Sequence, residues 1–278
     1  TVATAIRFVS LGCAKNLVDS EKMLGLLAEA NARSIGGLGE YQRAVALYDR
    51  AAAIYQAHGL PAKQANAQVG KVFSLALLGR YQEAQEAGEW ASVILEQHEQ
   101  WRQLITLTMN LAIAYGRQRQ DVKALAQFDR ARELCHRLGP EGIGTLQLIE
   151  NNRAIVLRNL GQFRASIEAS RTTRELAEQL GHKFEMARAR EELAYTHLLQ
   201  GRYNEALELL DQARDIFTAD GRHSDAIKTE LVITNCLLQL RRFRDVLDKC
   251  HRLHNVFAVQ GTRREVADVI LSEALASA

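Results

Sequence analysis

The chain has 278 residues, 47% of them apolar, enough to bury a large core as one elongated domain or two compact ones. Lys and Arg number 35 against 33 Asp and Glu, a formal charge of +2, so no strong field draws the chain to nucleic acid or to an anionic membrane, and no stretch is apolar for long enough to span one. Only two prolines, with abundant Ala, Leu, Glu, Gln and Arg, whose side chains lose little rotamer freedom on a helix, predict an all-α protein.

Residues 1–13, TVATAIRFVSLGC, are β-prone with no sheet to join. A lone strand is unstable in water, so the expectation is that this segment is disordered, pairs with the same segment of a second chain, or lies against the rest of the molecule. Its apolar run is too short for a signal peptide, and Ser10-Leu11-Gly12 ahead of Cys13 fits a lipoprotein cleavage site poorly. The domain organisation expected is a non-repeat segment over 1–19, extended or disordered, followed by a helical region over 20–278. Within DSEKMLGLLAEANARSIGG, Asp19 or Ser20 is a candidate N-cap, Glu21 suits the first turn, and Met23, Leu24, Leu27 and Ile35 fall on one side.

From there the sequence repeats. GEYQRAVALYDRAAAIY from Gly39 returns as GRYQEAQEAGEWASVIL, RQDVKALAQFDRARELC, GQFRASIEASRTTRELA, GRYNEALELLDQARDIF and RRFRDVLDKCHRLHNVF, beginning at Gly79, Arg119, Gly161, Gly201 and Arg241, at spacings of 40, 40, 42, 40 and 40 residues. A second ladder, Gly59, Glu99, Gly139, Gly181, Gly221 and Gly261, falls halfway between the rungs, so each repeat splits into two helices of about twenty residues, most of them ended by a glycine. Pro61 and Pro140 follow two of these glycines and block continuation, and GPEGIG can absorb the two extra residues of the fourth repeat. An aromatic residue (Tyr41, Tyr81, Phe163, Tyr203, Phe243) opens most second helices, a small residue follows three later (Ala44, Ala84, Ser166, Ala206, with Val246 in the sixth), and another seven beyond that (Ala51, Ala91, Thr173, Ala213, with Leu253). These offsets share one helical face. Ala32, Val72, Ala112, Ala154, Ala194 and Thr234 mark where each first helix approaches its partner.

This pattern of Gly, aromatic, Ala and Ala resembles the tetratricopeptide repeat family in the longer 40-residue form of kinesin light chains and related adaptors, over about residues 21–278. The resemblance implies a right-handed α-solenoid of antiparallel helix pairs, about six repeats plus a terminal helix, TRREVADVILSEALA. It also implies a concave groove read from the first helices, with asparagine donating to an extended peptide. By register Asn110 and Asn152 hold that position, while Gly70, Glu192 and Val232 interrupt the ladder. Neighbouring wall positions make Arg33, Arg117, Asn151, Arg158, Tyr195 and Asn235 further candidates for peptide binding, and Arg117 with Arg158 could fork onto a carboxylate.

A second resemblance lies at the start. RFVSLGCAKNLVDSEKMLGLLAEA, residues 7–30, is similar to the opening of ribosomal-protein methylthiotransferases of the radical SAM family, in which the cysteine matching Cys13 is one of three holding an auxiliary iron–sulfur cluster. The other two cysteines and the CxxxCxxC of that family are missing, and a cluster needs several converging thiolates. No catalytic constellation, cofactor site or metal site follows from the spacing; Cys250, His251 and His254 share a helix without a fourth ligand. The expected function is a non-enzymatic, cytoplasmic scaffold for a peptide or protein partner, part of a larger bacterial signalling or adaptor protein, with self-association through residues 1–13 open. Alternatives are a methylthiotransferase fragment or a small-molecule-sensing region of a transcription regulator.

Overall fold

The computed structural model describes the backbone of residues 38–260 and 263–277, and the side chains of 41–253 and 269–277. Readings that fall on 1–37, including the 19/20 boundary, self-association through 1–13, Cys13 and Arg33, lie outside the described residues. All described elements are helical. They are α1 (Leu38–Ala57), α2 (Pro61–Leu77), α3 (Tyr81–Gln97), α4 (Trp101–Arg117), α5 (Asp121–His136), a 3-10 turn (Gly139–Gly142), α6 (Ile143–Asn159), α7 (Phe163–Leu180), α8 (Lys183–Leu199), α9 (Tyr203–Ala219), α10 (His223–Gln239), α11 (Phe243–Gln260) and α12 (Arg263–Ser277). The fold is an all-α helical-repeat solenoid. It divides into two compact units, one ending at Gly142 and the other beginning at Ile143.

The ladder residues set where each helix stops. Gly79 takes φ +76°, and the turn around it closes with two backbone bonds, Gly79 N–H to Ala76 C=O at 3.3 Å and Arg80 N–H to Leu75 C=O at 2.9 Å. This is the Schellman pattern, which satisfies two orphan carbonyls of the outgoing helix. It recurs at Gly161 and Gln162, at Gly201 and Arg202, and at Gly221 and Arg222. Where the ladder lacks glycine the backbone is unchanged: Glu99, Arg119 and Arg241 hold φ of 51°, 59° and 56°. Two rungs differ. Gly39 lies inside the first turn of α1, and Gly139 leads into the 3-10 turn that takes up the two extra residues of the fourth repeat.

The predicted small residues are the contact between paired helices. Ala84, Ala91, Ala206 and Ala213 are fully buried, as are Val72, Ala112, Ala194 and Thr234 from the first helices; in the third repeat, for which the sequence reading named none, Ala124 and Ala131 are buried in the same way. In the fourth repeat serine stands in place of alanine, and its hydroxyl is satisfied: Ser166 Oγ donates to Ala154 C=O at 2.9 Å and lies 3.0 Å from Thr196 Oγ1. Within each unit every helix packs on its neighbours in sequence. First helices also pack side by side, α2 with α4, α6 with α8, and α10 with α12, and so form a wall of their own.

The left-handed conformation strains any residue with a Cβ by about 1–2 kcal/mol. Glu99→Gly, Arg119→Gly and Arg241→Gly are each expected to stabilise the protein by about 0.5 kcal/mol, net of glycine's larger unfolded-state entropy. Gly79→Ala is expected to cost about 1 kcal/mol. Urea midpoints measure all four; glycine variants no more stable than the parent would contradict strain at these rungs.

Candidate functional site

On the first-helix wall of the N-terminal unit, a hollow of about 550 Å³ lies among α1, α2 and α4. Tyr41 and Phe73 meet edge to face with ring centroids 6.4 Å apart on its lining. Tyr48, 2% exposed, crosses α2 at Gly70, where an added Cβ would stand 2.0 Å from the phenol oxygen. The asparagine-ladder position is glycine here because a tyrosine already occupies the space. Asn110 lines the same hollow, and its Nδ2 donates to Val69 C=O at 2.8 Å, clipping α4 to α2. Arg117 is exposed in this unit.

The C-terminal unit carries a hollow of about 880 Å³ on its own wall. Arg158 of α6, Tyr195 of α8 and Asn235 of α10 meet there, three of the residues the sequence singled out. The rest of the lining is largely aliphatic: Leu198 and Leu199 from α8, Leu231, Val232 and Leu238 from α10, Leu271 and Leu275 from α12. Leu199, Leu271 and Leu275 are 62%, 59% and 52% exposed.

Arg158 is not a free cation. Its Nη1 lies 2.5 Å from Glu192 Oε2, and its guanidinium rests 5.1 Å from the centre of the Tyr195 ring. A ligand carboxylate approaching Arg158, as the fork of Arg117 and Arg158 would require, meets a guanidinium whose Nη1 is already bonded to Glu192. Burial first, and then the carboxylates of Glu191 and Glu192, push the Tyr195 phenol up to about 12. Burial also raises both carboxyls, that of Glu191 against the 2.6 Å hydrogen bond donated by Thr229, and that of Glu192 against the pull of Arg158.

Two other candidates sit elsewhere. Asn152 donates to Leu148 C=O of its own helix at 2.8 Å, and Asn151 is 1% exposed, packed inside the unit rather than on the wall. Sequence reasoning missed the aliphatic lining. The signal was the pair of leucines closing α8 just before Gly201, and the valine at 232 where the ladder lacks asparagine. Trp101 lies under Arg137, 4.6 Å from guanidinium to ring centre. Among the described residues no cluster of three or more His, Cys, Asp and Glu stands where it could hold a metal, and no helix is long and apolar enough to cross a membrane.

These paired helices, ended by left-handed rungs and joined through buried small residues, define a helical-repeat protein whose first helices form the accessible wall. The family model for the tetratricopeptide repeat matches residues 146–219, and helix pairs of the same pattern continue on both sides. Similar solved structures include TPR-like repeats from Podosopora anserina assigned to a kinesin light chain, at 19% identity over 74% of this chain and 97% of that one, with TM-score 0.55. The apo quorum sensor NprR of B. thuringiensis matches at 13% identity, covering 94% of this chain and 71% of that one, with TM-score 0.69. A Rap protein complexed with Competence and Sporulation Factor matches at 15%, covering 98% and 76%, with TM-score 0.62. At such identities the likeness concerns the fold. Comparison of the sequence with curated proteins gives no match, and the methylthiotransferase likeness of residues 7–30 is not borne out.

Gly70→Ala is expected to cost about 1–3 kcal/mol, because its methyl must displace the Tyr48 ring, and Tyr48→Leu is expected to restore part of that loss; thermal melts of the single and double variants decide. A second expectation concerns acid. Glu191 and Glu192, raised in the folded state, contribute stability that is complete below their unfolded value of 4.5 and is lost as pH rises through the folded pKa. His197, held below its ordinary 6.5 by burial and by Arg202, acts oppositely: its contribution is complete above 6.5 and is lost as pH falls through the folded pKa. Urea midpoints of Glu191→Gln should therefore decline less than the parent's from pH 4.5 toward neutrality, and those of His197→Asn should decline less below pH 6.5.

Proposed function

We propose that the chain is a non-enzymatic scaffold that holds a peptide or protein partner against its first-helix wall, as part of a larger cytoplasmic protein of bacterial signalling or adaptor type. The observation that carries this reading is the hollow in the C-terminal unit. An exposed amide, Asn235, stands over a lining of leucines from three first helices, three of them more than half exposed. Leaving that much aliphatic surface in water is unfavourable, at about 25 cal/mol per Å², and a bound segment would remove it. An amide among apolar side chains suits a polypeptide, whose backbone needs hydrogen bonds where its side chains need burial. The Rap protein of the same fold, complexed with Competence and Sporulation Factor, supports a ligand-holding role for such a wall.

The groove residues in this reading are Asn235, Tyr195 and Arg158 in the C-terminal unit, with Asn110 and Arg117 in the other unit. Asn110, Asn152 and Arg158 also serve the scaffold itself, so their removal is the less discriminating test.

A photo-cross-linking residue in place of Asn235 is expected to capture a polypeptide from extracts of the native host, whereas the same residue in place of Glu175, exposed on the second helix α7, is not. Tyr195→Ala should reduce the capture at position 235 by about tenfold while circular dichroism stays unchanged. Equal capture at both positions, or capture at 175 alone, would reject the wall as the binding face.

A further inference from the structure

We propose that the hollow in the C-terminal unit selects an uncharged, aliphatic polypeptide segment and discriminates against one that carries a carboxylate. This rests on the scaffold reading above and specifies the ligand.

Among the described residues that line the hollow, Arg158 is the one with a charged side chain. It would by itself invite an acidic ligand. Yet Glu192 occupies its Nη1 edge at 2.5 Å and Tyr195 covers its face at 5.1 Å, with the side chains of the pair only 15% and 14% exposed. A carboxylate entering the hollow must displace Glu192 from a partly desolvated pair or meet its repulsion, and it finds no second cation among the described lining. The other polar side chains of the lining, Asn235, Gln239, Ser272, Tyr195 and Tyr203, are neutral; amides such as that of Asn235 can serve a peptide backbone, but none of these groups can replace the hydration of an ion. The aliphatic surface is contributed by α8, α10 and α12 together, so it rewards side chains spaced along a segment rather than one anchor. Charge complementarity here means neutrality: the wall balances its own arginine before any ligand arrives.

The sequence position of Glu192 is itself informative. It holds a rung of the asparagine ladder, where it interrupts the amide series and neutralises the arginine one first helix away.

The test is a phage-displayed library of random short peptides selected against the full chain, with the winners resynthesised, capped at both ends, and measured calorimetrically in low and high salt. The expected winners are rich in Leu, Ile, Val or Phe, lack Asp and Glu, and bind alike at both salt concentrations. Their affinity should fall about tenfold or more with Leu199→Lys and with Leu275→Lys, whose exposed positions spare the fold. Glu192→Gln should reduce the penalty for an Asp introduced into the peptide by about tenfold, because it leaves the guanidinium unopposed. Acidic winners whose binding collapses in salt and with Arg158→Gln would overturn this inference and leave the wall standing as a binding face. Winners indifferent to both lysine variants and to Asn235→Ala, or no winners at all, would overturn the inference and the scaffold reading together.

Discussion

Everything in this molecule depends on the chain stopping a helix and reversing at nearly equal intervals. Each reversal needs one residue in the left-handed region, so that the next N–H can reach back to a carbonyl of the helix just ended. Glycine fills most of these places without strain, but Glu99, Arg119 and Arg241 adopt the same conformation. The turn is therefore imposed by packing as well as permitted by glycine. Two helices held antiparallel by fully buried alanines have little freedom in how they join, and the energy of their contact exceeds the cost of a strained rung.

The same few positions explain how distant sequences share the fold. Structures at 13–19% identity to this chain superpose with TM-scores of 0.55–0.69. Repeat architecture asks for small residues at the helix crossing and a left-handed residue at the turn, and leaves the wall unconstrained. The wall is where this chain differs from itself, repeat by repeat. At the three rungs without asparagine, the structure shows three separate uses: Gly70 makes way for Tyr48, Glu192 holds Arg158, and Val232 lines the aliphatic hollow. Two rungs that do keep asparagine, Asn110 and Asn152, use their amides on backbone carbonyls of α2 and α6.

Helix identity, pairing and the interface residues were legible in the sequence, because glycine, alanine and aromatic positions answer to local geometry that recurs at a fixed period. Helices α3, α7, α9 and α11 begin at the aromatic residues that mark them, and the small residues predicted for the six repeats are buried where described, whereas Ala274, at the matching position of the terminal helix α12, is exposed. The wall was legible only in part. Arg158, Tyr195 and Asn235, which register put on it, line one hollow, but register put Asn151 beside them although its side chain is buried. A first helix has partners on more than one side, so a shift of one position turns a side chain from the wall into the core.

The sequence by itself determined the repeat, the helices, their caps and the face on which they join, since each is a matter of residues close along the chain. Only the tertiary structure decided which wall residues remain available to a ligand. Arg158 and Glu192 are 34 positions apart, and Val232 and Leu271 meet in one hollow from separate repeats. Charge and shape on that wall are properties of side chains brought together by stacking, and no local periodicity encodes whether an arginine there will face an open groove or a glutamate from the next repeat.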